Sequence, residues 1–210
     1  MKEIKFYSLW ISLILILIFI IQNFPGIQFT ELFLLNQKAI DNFEIWRFFT
    51  AIFLHGSLTH LLFNLFALLF FGITLENLID SKRFIITFLI SGIIANIISV
   101  NFYESSLGAS GAIYGIIGAI TILKPTMIVY TFGLILPMFM ATIIYIIADI
   151  LRTFGAFNSN VGAIAHLSGI FIGFLYGIYF RLKIKKYQEG KIDIKFNENY
   201  MKNWEDKFVR

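Results

Sequence analysis

Long apolar runs alternate with short polar breaks along most of the chain. Runs of membrane-crossing length fall at about 6–21, 58–79, 84–102, 110–123, 127–151 and 161–182. A crossing helix needs about 20 mainly apolar residues. The pattern predicts an all-α polytopic membrane protein with six spans. The fourth run is short, so its helix must start below the surface, with the preceding loop dipping in. Irregular backbone at that depth is tolerated only inside protein or beside water, which implies a cavity above Ser110. The fifth run carries Gly133 and Pro137, which predict a bend. Between the first two runs, residues 22–57 mix charges with Phe24, Phe29, Phe33, Phe43, Trp46, Phe48 and Phe49. Such a mixture suits the membrane interface and reads as a large structured insertion. Residues 1–182 then form one bundle, and residues 183–210 a polar cytoplasmic tail to which no function is assigned.

Composition agrees with this picture. The 210 residues are 58% hydrophobic and 14% charged, against about 45–50% and about 25% in soluble domains. The absence of cysteine removes disulfides, thiolate metal sites and a cysteine nucleophile. The apolar N-terminal run lacks a small-x-small cleavage site and reads as a retained first span. The net charge is +4, with the Lys and Arg clustered near the ends of the chain, which points to membrane orientation, not nucleic acid. With six spans, Lys2, Lys5, Lys82, Arg83, Lys124, Arg181, Lys183, Lys185 and Lys186 share one side. Lys38, Arg47 and Arg152 lie on the other. The positive-inside rule puts both termini in the cytoplasm.

Polar residues inside the spans are few and costly, so they should face protein or water. His60 and Asn64 sit one turn apart at the start of the second span. Ser110 opens the fourth, and His166 lies near the start of the sixth. All four fall at the outer end. A serine becomes a nucleophile beside a base, and histidine is the usual one. His60, Asn64 and the first N–H groups of the fourth span can donate to an oxyanion. Gly108 and Gly111 permit unusual dihedrals and close approach. Tyr114, one turn below Ser110, can pack on His166. Gly169, Gly173 and Gly177 on the sixth span, with Gly111, Gly115 and Gly118 on the fourth, let the two helices approach closely. Asp149 is expected to pair with neighbouring Arg152, which leaves no acid for His166 and makes the site a dyad.

The stretches WRFFTAIFLHGSLTHLLFN (46–64), GASGAIYGIIG (108–118) and AHLSGIFIGFLYG (165–177) resemble the rhomboid intramembrane serine proteases, in order and in spacing. The resemblance implies a six-transmembrane-helix rhomboid-like bundle of the minimal prokaryotic type, in a plasma membrane, with its site open to the outer side. It implies Ser110 as nucleophile and His166 as base. The oxyanion hole would be His60, Asn64 and the Ser110 N–H, with Tyr114 stacked on the base and Gly108 and Gly111 supporting. Trp46 and Arg47 match the family's Trp-Arg pair, and Glu76 falls where a structural Glu is common. The implied reaction is cleavage of single-span membrane proteins in or near the bilayer, through an acyl-enzyme. By analogy, the fifth span and the 152–160 loop, with Phe154 and Phe157, are the expected gate and lid. No metal or other cofactor is expected, since no HExxH is present. The alternative is a non-proteolytic rhomboid-like protein that binds membrane clients, or a transporter.

Overall fold

The computed structural model describes residues 4–26, 28–131, 133–155 and 162–191, with side chains of the last helix described to residue 183. Among them, three helical stretches are long and apolar enough to cross a membrane by length and composition: Leu58–Ile79, Ser81–Ser99 and Ala163–Lys183. Two shorter apolar helices, Tyr7–Gln22 (α1) and Ser110–Leu123 (α8), accompany them.

Leu58–Ile79 is not uniform. It comprises α5 (Leu58–Ala67), a π-helical widening at Leu68–Gly72, and α6 (Ile73–Ile79). Ser57 starts it by accepting the His60 N–H at 3.1 Å, which satisfies one of the orphan donors of a first turn. The widening coincides with a tight contact: a Cβ at Gly72 would lie 3.1 Å from Ser8 Cβ on α1. The next helix, α7 (Ser81–Ser99), starts three residues before the predicted 84–102. Asp80 caps it by accepting the Arg83 N–H at 2.9 Å.

Helix α8 occupies the predicted 110–123 and lies at the centre. Gly111–Ile113 and Gly115–Thr121 are buried. Ile113, Ile116, Ile117 and Ile120 join Leu68, Leu75, Phe84 and Phe88 in the core. It packs on the last helix, α10 (Ala163–Lys191), through glycines on both sides. A Cβ on Gly169 would overlap the Gly111 carbonyl oxygen, and one on Gly173 the Gly115 oxygen. Side chains are excluded there, so the backbones touch and gain dispersion contact over the length of the seam. The predicted glycine face is thus the α8–α10 seam. Helix α10 continues past the predicted end at 182; the rest of the tail, from 192, lies outside the described residues.

Residues 28–57 fold into short pieces: α2 (Phe29–Phe33), β1 (Leu35–Asn36), α3 (Gln37–Asp41), α4 (Arg47–Thr50) and a 3-10 turn, Ala51–Phe53. Hydrogen bonds tie this segment to the bundle. β1 pairs antiparallel with β2 (Ser105–Ser106) just before GASG. Asn96 Nδ2 donates to the Phe48 carbonyl at 2.8 Å, and Ser106 Oγ to Asn96 Oδ1 at 3.0 Å. Arg47 donates to the carbonyls of Glu31 (2.6 Å) and Leu34 (3.0 Å), so its charge closes a loop of chain.

The expected 127–151 helix is corrected. Ile128–Thr131 (β3) and Leu134–Pro137 (β4) form an antiparallel hairpin, and α9 spans only Met138–Thr153. The reason lies in three residues. Gly133 adopts φ +76°, which glycine tolerates. Pro137 has no N–H for an interior helical turn and sits extended as the residue before the helix. Between them and Pro125, the alternating β-branched and aromatic run IVYT favours a strand. The structure has a hairpin where a bend was expected.

Candidate active site

Ser110 is the first residue of α8, and the chain reaches it through Gly108. That glycine has φ +121°, a conformation that strains other residues. Its N–H donates to the Ala51 carbonyl at 2.9 Å, which anchors the loop to the 3-10 turn. The His60 ring lies directly over it: a Cβ at 108 would sit 2.7 Å from His60 Cε1 and 2.9 Å from Nε2. Backbone geometry and ring contact therefore both require glycine here. No side chain caps α8, so its first N–H groups are left without a side-chain partner.

One turn after His60, buried Asn64 donates through Nδ2 to the His60 carbonyl at 2.8 Å. This commits one amide hydrogen and leaves the other. His60 also meets the ring of His55 edge-on, with centroids 5.0 Å apart. His55 is 2% exposed, and neither ring nitrogen has a hydrogen-bond partner among the described residues. Burial, and next the neighbouring His60, lower its pKa from 6.5 to about 4, with the nearby Phe53 backbone carbonyl opposing them only in part, so it is neutral. Its backbone is clamped by Gln22, which accepts the His55 N–H at 3.0 Å and donates to its carbonyl at 3.3 Å.

On the other side, His166 is the fourth residue of α10 and 6% exposed. Tyr114 lies flat on it, with centroids 4.0 Å apart and planes 12° from parallel. The residues next to the two candidates also touch: a Cβ on Gly111 would be 3.5 Å from the Ala165 carbonyl oxygen. The glycine seam thus carries His166 to the start of α8. Among the described residues no hydrogen bond joins the Ser110 hydroxyl to His166, a looseness common before substrate is bound.

The expectation that no acid serves His166 is corrected. Asp149 pairs with Arg152 as foreseen, Oδ1 to Nη1 at 2.7 Å. Its second oxygen, Oδ2, lies 3.1 Å from His166 Nδ1. Asp149 is fully buried, and a buried carboxylate needs a partner for each oxygen. The i,i+3 spacing of Asp149 and Arg152 hinted at a pair; that it leaves one oxygen free was the signal missed. Of the other expected elements, Phe154 is 84% exposed, and Phe157 lies outside the described residues. Among the described residues no three His, Asp or Glu side chains form a group that could hold a metal. A serine, an imidazole with an acid behind it and nearby donors can carry out acyl transfer.

Known proteins resemble this chain over the same region. A family model described as Rhomboid domain matches residues 42–183. The putative rhomboid protease YdcA of Bacillus subtilis (strain 168) is 36% identical over 141 residues, covering 65% of this chain and 68% of that protein. Rhomboid protease GluP of the same organism is 33% identical over 177 residues, covering 80% of this chain and 33% of its own length. Inactive RHOMBOID-like protein 8 of Arabidopsis thaliana is 38% identical over 88 residues, covering 40% of this chain and 25% of its own.

Proposed function

The chain belongs to the rhomboid family, and on that premise we propose that it is an intramembrane serine endopeptidase with Ser110 as nucleophile and His166 as general base. It is an integral membrane protein. In our reading α1, the α5–α6 helix, α7, α8, α9 and α10 are six crossings of the minimal prokaryotic type, with the β3–β4 hairpin at the inner end of α9. Residues 22–57 lie at the outer interface, and both termini face the cytoplasm. The substrates are single-span membrane proteins.

The supporting observation is the convergence of three elements on the start of α8. His60 lies over Gly108, Tyr114 holds His166 flat, and the α8–α10 seam brings Ala165 against Gly111. A scissile carbonyl above Ser110 would find the nucleophile on one side. On the other it would find His60, the free Asn64 N–H and the Ser110 backbone N–H for the oxyanion. His166 Nε2 takes the serine proton, passes it to the leaving amine, then activates water to release the acyl group.

The full chain in proteoliposomes with a library of single-span segments should cut some of them. Ser110→Ala should abolish both cleavage and labelling by a fluorophosphonate probe, while EDTA changes neither. Cleavage that survives in Ser110→Ala sinks the mechanism. The inactive relative motivates the other reading, a non-proteolytic client-binding protein. In that case wild-type and Ser110→Ala chains capture the same segments and neither cuts.

A further inference from the structure

We propose that Asp149 is a positioning residue for the base: its Oδ2 accepts a hydrogen bond from His166 Nδ1–H and so leaves the Nε2 lone pair for Ser110. This rests on the protease reading above, in which His166 is the base.

Charge sets the tautomer of His166. Asp149 is fully buried in α9, and Arg152 one turn on neutralises it through Oδ1 at 2.7 Å. A carboxylate in such an ion pair only accepts hydrogen bonds. An Nδ1 atom 3.1 Å from its free oxygen must therefore carry the proton. A neutral imidazole holds one proton, so Nε2 is then unprotonated and able to act as a base. The rest of the surroundings agrees. Tyr114 covers one face of the ring, and Tyr145 of α9 meets Tyr114 edge-on, with centroids 5.7 Å apart. The ring is fixed by stacking in one dimension and by Asp149 in the other. Arg152, which is partly exposed, keeps the buried carboxylate from being an isolated charge in the bilayer.

The Ser110 Oγ–H proton moves to Nε2 as Oγ bonds the carbonyl carbon, giving an imidazolium with N–H on both nitrogens. Asp149 faces the Nδ1 side of that cation and remains unprotonated. Nε2 next donates its proton to the leaving nitrogen as the C–N bond breaks. It then takes one from the attacking water, and returns it to Oγ when the ester bond breaks. The Nδ1 proton stays in place throughout, so Asp149 accepts no proton.

Two readouts test this on the full chain. With a cleaved single-span substrate, Asp149→Asn should lower kcat roughly 10- to 100-fold, because an amide can equally donate to Nδ1 and stabilise the wrong tautomer. KM should stay within about twofold, since nothing that touches substrate has changed. Unchanged kcat in a folded Asp149→Asn chain overturns the proposal and leaves Asp149 as the partner of Arg152 only. The second readout needs no substitution in the acid. The 15N shifts of the imidazole in the unmodified protein, assigned with His55→Gln and His60→Gln, should show neutral His166 protonated on Nδ1. A proton on Nε2 overturns the proposal even where Asp149→Asn does not fold. If wild type and Ser110→Ala both fail to cut while His166 carries its proton on Nδ1, the protease reading has failed and the tautomer assignment stands.

Discussion

Among the described residues two carboxylates are buried, Glu76 and Asp149, and they are held in opposite ways. Glu76, near the end of α6, accepts from neutral donors. These are the N–H groups of Tyr7 (2.8 Å) and Ser8 (3.1 Å) and the hydroxyls of Ser8 (2.9 Å) and Ser81 (2.5 Å). Asp149, in α9, faces a guanidinium and an imidazole. Both residues avoid the penalty of an unpaired buried charge. Their partners differ in what they can do. Backbone and hydroxyl donors do not change charge, so Glu76 pins the first turn of α1 to α6 and α7 and no more. The imidazole gains and loses a proton in the proposed reaction, so Asp149 is bound to a group whose charge varies. In a buried carboxylate, the partner and not the burial separates support from chemistry.

The sharpest way to break that comparison is Glu76→Ala. It orphans two N–H groups and two hydroxyls, each worth about 1 kcal/mol or more when buried without a partner. A loss of about 3 kcal/mol or more is expected, seen as a lower midpoint in a denaturation curve. The folded fraction should keep its specific activity. A variant that folds normally but loses turnover would put Glu76 in the same class as Asp149, and the distinction would fall.

Next in size is the seam that makes Asp149 relevant. The N-terminal end of α1 is fixed by hydrogen bonds, whereas His166 is brought to α8 by the absence of side chains. Gly169→Ala puts a methyl group on the Gly111 carbonyl, and the backbones must separate. Overpacking of this kind costs about 1–3 kcal/mol, and misplacing a base by about 1 Å can cost on the order of a hundredfold in rate. The expected result is therefore a modest fall in the unfolding midpoint and a fall of roughly that size in kcat/KM. A larger loss of stability than in Glu76→Ala would mean that the seam, not the carboxylate, dominates the fold.

Much of this arrangement was legible in the chain. Helix α8 occupies its predicted range because Gly108 and Pro125 punctuate both ends. The glycine seam was legible because small residues four apart have one obvious use in a membrane. His60, Asn64, Ser110 and His166 stood out because polar residues are rare in such runs. Two things were hidden. The hairpin at 128–137 is as apolar as a helix, so hydropathy alone does not distinguish them, and Gly133 and Pro137 read as a bend within a helix. The role of Asp149 was hidden because proximity along the chain favours Arg152, while His166, 17 positions away, approaches only once α9 and α10 are packed. Charge pairs three residues apart can be read from a sequence, but the direction of the second oxygen depends on tertiary structure.

The smallest effect concerns the other buried histidine. His55 is as well buried as His166 but has no carboxylate on it, and burial depresses its pKa to about 4. The unfolded chain takes up a proton near pH 6.5 that the folded chain refuses until about pH 4. Stability from this group is therefore full above pH 6.5, falls as the pH drops through that window, and levels off below it. The slope is at most about 1.4 kcal/mol per pH unit. His55→Gln, which does not titrate, should show a shallower decline in its thermal midpoint between pH 6.5 and 4.5, whatever its absolute stability. Parallel curves would mean that His55 is protonated in the folded protein and so has an acidic or accepting partner after all. A buried imidazole without a carboxylate would then accept a proton in the folded protein, and the contrast drawn with Asp149 would lose its control.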